Sequence, residues 1–467
     1  MADTQNRPAV GVRLSVMMFL QFFVWGAWYV TAAKYLSTIG FSGSDIGTTY
    51  SVGPVAAILS PFFVGMIADR FFATERVLGV MHLLGAALMF AATVLMRQKA
   101  DPGVINFALF GHMLCYMPTL ALTNTLALSN LTRSEQLPWV RVFGTIGWIA
   151  AGFTIGGFAL EGTWRWGDRI DQFTLAAVAS ALLGVYSFTL PHTPPPSAGK
   201  RVTAWQVFGL DALVLLRNRS YLVFLISSFL ICIPLSFYYQ LAERAVTAAD
   251  LANPPITMSF GQISEIVFML LLPVVFVRLG VKWTLLVGMA AWVIRYVLFA
   301  LGTPDDIAWM MLVGVVLHGI CYDFFFVTGQ IYTDKVASPA IRGQAQGLLV
   351  LATLGLGMAI GAQIAGYVET QYTPAETGTL LGEANEVGER LTALDPNSAA
   401  AKELEAEKDE LTRQAYSAMD WQTIWTIPAG ASLVVLLIFA AVFRDRREHA
   451  VTDKAEAFEA AERQELF

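Results

Sequence analysis

Charge is scarce in this chain. Of its 467 residues only 14% are Asp, Glu, Lys or Arg, while 56% are hydrophobic and the mean hydropathy is +0.57. Soluble domains carry about 25% charged residues, so a water-soluble body of this length would lack the polar surface to cover its core. Cysteine is nearly missing as well. Cys115, Cys232 and Cys321 all sit inside apolar runs, which excludes a disulfide framework and paired metal-ligand spacings. The sequence has no phosphate-binding loop, no nucleophile motif and no metal-ligand cluster. An enzyme is therefore not expected, nor a cofactor, nor a nucleic-acid partner. The net charge of −6 says little about partners, because two acidic solvent segments dominate it.

Long apolar runs are what the chain has instead. A spanning helix needs about 20 mostly apolar residues to cross ~30 Å of hydrocarbon. Such runs occur at 14–37, 45–68, 76–96, 104–129, 139–160 and 172–190, then at 221–242, 257–277, 283–301, 307–333, 343–368 and 422–443. In lipid the backbone must satisfy its own polar groups, so these are read as helices. Runs this continuous do not match the alternating pattern of barrel strands. The first run is too long for a signal peptide, lacks a small-residue cleavage site and is followed at once by another. The fold class expected is an all-α membrane protein with twelve transmembrane helices in two six-helix halves.

The basic residues give a direction. With the N-terminus inside, most of the Lys and Arg fall on the cytoplasmic side, among them Arg76, Arg217, Arg219, Arg278, Lys282, Arg342 and Arg444, so both termini are expected to be cytoplasmic. Residues 192–219, Pro-rich and basic, form a cytoplasmic linker between an N-terminal half (1–191) and a C-terminal half (220–445); 446–467 reads as a cytoplasmic tail. The segment 370–420 interrupts the economy of the second half. Leu380, Leu381, Val387, Leu391 and Leu394, then Leu404 and Leu411, recur at helical spacings around Asp395-Pro396-Asn397, which predicts an external helical hairpin; a solvated, partly disordered insertion is the other reading.

Ionisable residues at mid-bilayer cost about 2.5–3.5 kcal/mol on insertion scales and mark functional cavities. Arg141, Thr145 and Trp148, spaced i, i+4 and i+7, place a cation, a hydroxyl and an aromatic plate on one helix face; Arg141 as a simple end anchor is the alternative. Gln262 and Glu265 share a face, an amide and a carboxylate suited to a base edge and to hydroxyls, or a polar pair joining helices. His318 and Tyr322 share another, with Asp323 rotated by about 100°. An imidazole there could also titrate, or merely pack. Arg295 is read as structural, paired with a carboxylate of another helix. Gln21, Asn124 and Thr125 line a cavity or join helices. Gly152-x-x-x-Gly156 and Gly357-x-x-x-Gly361 let helices approach closely.

Two resemblances follow from particular stretches. GMIADR with a later ER, at 65–76, resembles the signature loop of the major facilitator superfamily, which implies a gating role for Gly65, Asp69 and Arg70. FLQFFVWGAW (19–28), CYMPTLALTNT (115–125), RVFGTIGW (141–148), GQISE (261–265), AWVIRYVLFA (291–300), CYDFFFVTGQ (321–330) and SPAIRGQAQG (338–347) together resemble the nucleoside:proton symporters of that superfamily. The resemblance implies proton-coupled nucleoside uptake across a bacterial-type cytoplasmic membrane, by a protein expected to be a monomer. It implies substrate contacts at Arg141, Thr145, Trp148, Gln262 and Glu265, and carries over Asp323. His318 stands where the symporters have Tyr, and Tyr322 where they have Phe. Ser236 and Tyr239 stand at two positions where the family has amides, which opens a different nucleoside preference or a related substrate. Glu265 and Asp323 are the expected proton carriers, since a carboxylate exposed alternately to two sides can load a proton on one and release it on the other. A carrier of another polyol-like solute, such as an oligosaccharide, and a non-transporting membrane receptor remain open.

Overall fold

A computed structural model describes residues 7–60, 72–131, 136–157, 170–195, 210–339, 341–395 and 398–444. Every regular element among them is helical. In the first half, α1 (Arg7–Gly26) breaks into a turn and resumes as the short α2 (Ala32–Thr38), so the first expected span is not one continuous rod. Then come α3 (Gly43–Ser60), α4 (Thr74–Arg97), α5 (Pro102–Asn130), α6 (Leu137–Ile155) and α7 (Asp171–Ser187). The second half holds α8 (Arg219–Ala248), α9 (Pro254–Gly302), α10 (Ala308–Val336), α11 (Arg342–Gln371), α12 (Ala375–Leu391), α13 (Ala399–Ser417) and α14 (Trp421–Val442).

Among the described residues eight helices are long and apolar enough to cross a membrane. One of them, the 49-residue α9, does so twice. Gly280 has φ +66° and ψ −176°, dihedrals open to glycine but not to a residue with a Cβ, and it divides α9 into two legs of spanning length. The shorter α3, α6 and α7 complete twelve spans, six on each side of the 192–219 segment. The gate-loop residues Gly65, Asp69 and Arg70 lie outside the described residues.

Each half has its own core. Trp28, Met89, Leu109 and Phe173 anchor the first; Leu235, Leu285, Trp292 and Trp425 anchor the second. Outward positions such as Phe107, Leu270 and Val277 are exposed, as a lipid-facing surface requires. Lipid tails are as apolar as leucine, so burial alone does not drive such helices together; close packing of small residues and hydrogen bonds do. The seam between the halves is made that way. A Cβ on Gly47 of α3 would lie 2.7 Å from the Ala362 carbonyl of α11. Beside it the Gln363 amide donates to Ser51 Oγ at 2.8 Å. On the other flank Asn253 Nδ2, at the start of α9, donates to the Gly156 carbonyl at the end of α6 at 2.6 Å.

Helices α12 and α13 form a hairpin over this clasped end. Leu381, Ala384, Val387 and Leu391 of α12 are buried, as are Ala401, Thr412 and Ala415 of α13. The hairpin belongs covalently to the second half yet reaches the first. The Tyr416 hydroxyl lies 2.7 Å from that of Ser37 and donates to the Lys34 carbonyl at 3.2 Å; Lys99 pairs with Glu389 at 2.9 Å. Just beneath, Arg244 of α8 grips Glu369 of α11 with two bonds, Nη1–Oε1 at 2.6 Å and Nη2–Oε2 at 2.7 Å, and Gln240 donates to the same carboxylate at 2.8 Å. Both charges are almost fully buried, and the forked geometry is what makes such a pair tolerable without water.

Candidate substrate and proton site

The site is built on the crossing of α9 and α10. Gly319 is the contact point: a Cβ there would lie 2.7 Å from the Glu265 nitrogen and from the Ser264 carbonyl. Its own N–H donates to Ser264 Oγ at 3.1 Å, and that hydroxyl donates to the Gly261 carbonyl at 2.6 Å. The backbone bearing Glu265 is thus fixed against α10 one turn before Asp323. From Asp323 to Val327 the helix takes a π turn, a form frequent at functional sites. The bulky Phe324, Phe325 and Phe326 that fill this turn pack on Phe268, Trp292 and Tyr322 at centroid distances of 5.1–6.0 Å.

Asp323 is fully buried, and neither carboxylate oxygen has a hydrogen-bond partner among the described residues. Glu265 is half-buried and has no hydrogen bond or ion pair to another described residue, but its charge and that of Asp323 act on each other. An ionised carboxylate withdrawn from water costs several kcal/mol unless paired. A proton on Asp323 removes that cost in this conformation.

The first half supplies the opposing wall. Pro138 starts α6 where its missing N–H costs nothing. Arg141, exposed one turn on, lies within electrostatic reach of Glu265 and Tyr322 although both belong to the other half. Thr145 is half-buried on the same face. Trp148 packs edge-on against Trp25 at 5.5 Å, Trp25 against Tyr29 at 5.4 Å, Tyr29 against Tyr239 at 5.7 Å, and Tyr239 against His318 at 6.4 Å. A ladder of aromatic rings therefore crosses from one half to the other. Tyr239 also lies within electrostatic reach of Glu265 and Tyr322. Gln262 is buried with no hydrogen bond to another described residue.

Some sequence expectations land elsewhere. The Ser236 hydroxyl bonds the Cys232 and Met358 carbonyls, at 3.3 and 3.0 Å, and serves the packing of α8 on α11 at Gly361. Gln21 takes the helix-joining one of its two expected readings: it donates to Thr119 at 2.8 Å and meets His82 Nε2 at 2.8 Å. Arg295 has no carboxylate partner among the described residues; its guanidinium sits 3.4 Å over the Tyr238 ring and 3.4 Å from His318 Nδ1. Trp25, Tyr29 and Tyr238 were not singled out. Only the i, i+4 spacing of Trp25 and Tyr29 within the apolar first run pointed to them.

Two six-helix halves clasped at one end are the architecture of a secondary transporter of the major facilitator fold. The peptide transporter POT in complex with sulfate, 15% identical, superposes with a TM-score of 0.61 over 95% of this chain and 99% of its own, which attests the fold alone. The nucleoside H+ symporter family model matches residues 9–382, and the chain belongs to that family: it is a multi-pass membrane transporter and not an enzyme. YegT of Escherichia coli K12 is 43% identical over 76% of this chain and 83% of its own length. The nucleoside permease NupG of the same organism is 29% identical over 93% of this chain and 96% of its own. A crystal structure of the nucleoside transporter NupG, 28% identical, gives a TM-score of 0.75 over 94% of this chain and all of that one.

Proposed function

We propose that this chain carries nucleosides inward with protons, binding the solute between α6 of the first half and α8, α9 and α10 of the second. The observation that supports this most is the pair of carboxylates: Asp323 buried with no hydrogen-bond partner among the described residues, and Glu265 within its electrostatic reach, likewise with none. In this reading Asp323 holds the proton, and Glu265, Gln262 and Arg141 supply acceptor, amide and donor groups to ribose and base. Trp148, Tyr239 and Tyr322 offer ring faces for stacking. Protonation of Asp323 removes a buried charge and lets the loaded halves rock about the site. The bias of Lys and Arg supports cytoplasmic termini, which puts the hairpin on the outer face and the clasp of this conformation on the external side.

Uptake of labelled uridine into proteoliposomes under an imposed pH gradient tests the proposal. Accumulation that collapses with a protonophore, and that purines and pyrimidine nucleosides compete away, supports it. Flux indifferent to the gradient would leave facilitated diffusion. Competition by sugars alone would leave a polyol carrier, and saturable binding without flux a receptor.

A further inference from the structure

Arg295 is a fully buried cation without an ionic partner among the described residues, lodged behind the site. Its guanidinium carbon lies over Tyr238 of α8, and both terminal nitrogens sit 3.4 Å from one atom, His318 Nδ1 on α10. A guanidinium has five donors, no acceptor and never deprotonates in proteins. An atom facing those donors suits a lone pair better than an N–H, and a lone pair on Nδ1 would leave the ring proton on Nε2. An imidazole left to itself exchanges these two tautomers; a fixed guanidinium beside Nδ1 would favour one.

The ring is also held in place. It stacks on Tyr238 at 5.3 Å with 19° between planes, and its other neighbours are the site residues Tyr239 and Tyr322, at 6.4 and 5.9 Å. The base of the His318 side chain backs onto Gly261, where a Cβ would come within 3.2 Å of His318 Cβ. Nε2 makes no hydrogen bond to another described residue. A proton on Nε2 would be a donor without an acceptor among the described residues.

We propose that Arg295 is a positioning residue that locks His318 as a neutral Nε2–H donor, and that this donor selects substrates presenting an acceptor, an oxo group of the base in preference to an amino group. The selection rests on the transport reading above, whereas the tautomer does not. In this role His318 is not a proton carrier, since an imidazolium would set an Nδ1–H against the donors of Arg295. A Tyr hydroxyl at the same position would donate equally well.

The test has two arms. Nitrogen NMR of the purified, histidine-labelled protein, with His318→Asn used to identify the signal, reports the tautomer without any substrate. A protonated Nε2 with bare Nδ1 is expected; a signal showing protonated Nδ1, or a mixture, overturns the proposal. In proteoliposomes, Arg295→Gln is expected to raise KM for uridine about tenfold, equivalent to 1.4 kcal/mol, with little change in kcat and a smaller change for cytidine, which replaces an oxo group by an amino group. Adding His318→Tyr to Arg295→Gln is expected to restore the uridine KM. Equal losses for both nucleosides without rescue refute the selective donor. Should Arg295→Gln fail to fold, wild-type NMR and the uridine-to-cytidine KM ratio of His318→Asn alone decide: an unchanged ratio refutes it. Wild-type protein that moves no nucleoside, yet shows the expected tautomer, sinks the transport reading and spares the lock.

Discussion

Replacing Asp323 with Asn should uncouple the transporter without unfolding it. Both oxygens of this side chain are buried and make no hydrogen bond to another described residue, so the described fold does not depend on bonds to them. An amide keeps the shape and carries no charge. The cost is confined to an unsatisfied amide, about 1–3 kcal/mol at most, against the several kcal/mol that an ionised carboxylate would incur there. What disappears, in the proposed mechanism, is the site where a proton is taken up and released. One proton moving through 100 mV supplies about 2.3 kcal/mol, which sustains a concentration ratio of about 40 for a neutral solute. Asp323→Asn should bring that ratio to one while nucleoside counterflow, which needs binding and rocking but no net proton movement, persists. Glu265→Gln is the control. This side chain is half-exposed beside Arg141, so its replacement should weaken binding more than coupling. An Asp323→Asn protein that still concentrates uridine from an imposed gradient would refute the assignment, and so would one that loses counterflow as completely as uptake.

Other consequences follow from particular contacts. Glu369→Gln strips Arg244 of its forked partner and should destabilise the second half by about 3–5 kcal/mol in detergent unfolding; adding Arg244→Met should recover most of that, because the buried charge is then gone. Tyr416→Phe removes hydroxyl contacts to Ser37 and Lys34, about 1–2 kcal/mol for two bonds, and should shift the hairpin end toward open conformations about 5- to 30-fold, read as distances between spin labels on α2 and α13. Gly319→Ala sets a methyl 2.7 Å from the Glu265 nitrogen and must push α9 from α10; uptake should fall at least tenfold while the protein still inserts in the membrane.

The sequence made the fold legible because lipid leaves a chain few choices. Twelve apolar runs dictate twelve helices, and the Leu381, Val387 and Leu391 spacing marks the buried face of the hairpin. Local chemistry was less visible. Nothing in composition signals that α10 takes a π turn at Asp323, or that the first span breaks before Thr31, since both depend on what packs alongside. Glu265 and Asp323 stood out because a carboxylate in an apolar run is expensive. Ser236 and Arg295 show where such reasoning stops. A serine in a span has a backbone carbonyl within reach on almost any neighbouring helix, and Ser236 found that of Met358. Arg295 called for an acidic partner on electrostatic grounds, and found instead an imidazole and a phenol ring, 23 and 57 positions away in sequence, which only tertiary packing could bring there.

The second half contains two kinds of buried charge, and the contrast bears on mechanism. Arg244 and Glu369 are joined by two charge-assisted hydrogen bonds, so each charge has its counter-charge within the second half. Arg295 and Asp323 lie on the adjacent elements α9 and α10, opposite in sign and both fully buried, and the fold does not join them. Had it done so, mutual attraction would have offset part of the desolvation penalty of each, and Asp323 would have held a permanent counter-charge. Engaging the guanidinium with Tyr238 and His318 instead keeps the carboxyl unpaired. In the proposed mechanism the stability forgone makes protonation of Asp323 the least costly way to bury it, and so would tie burial, the step that closes a loaded transporter, to the arrival of a proton.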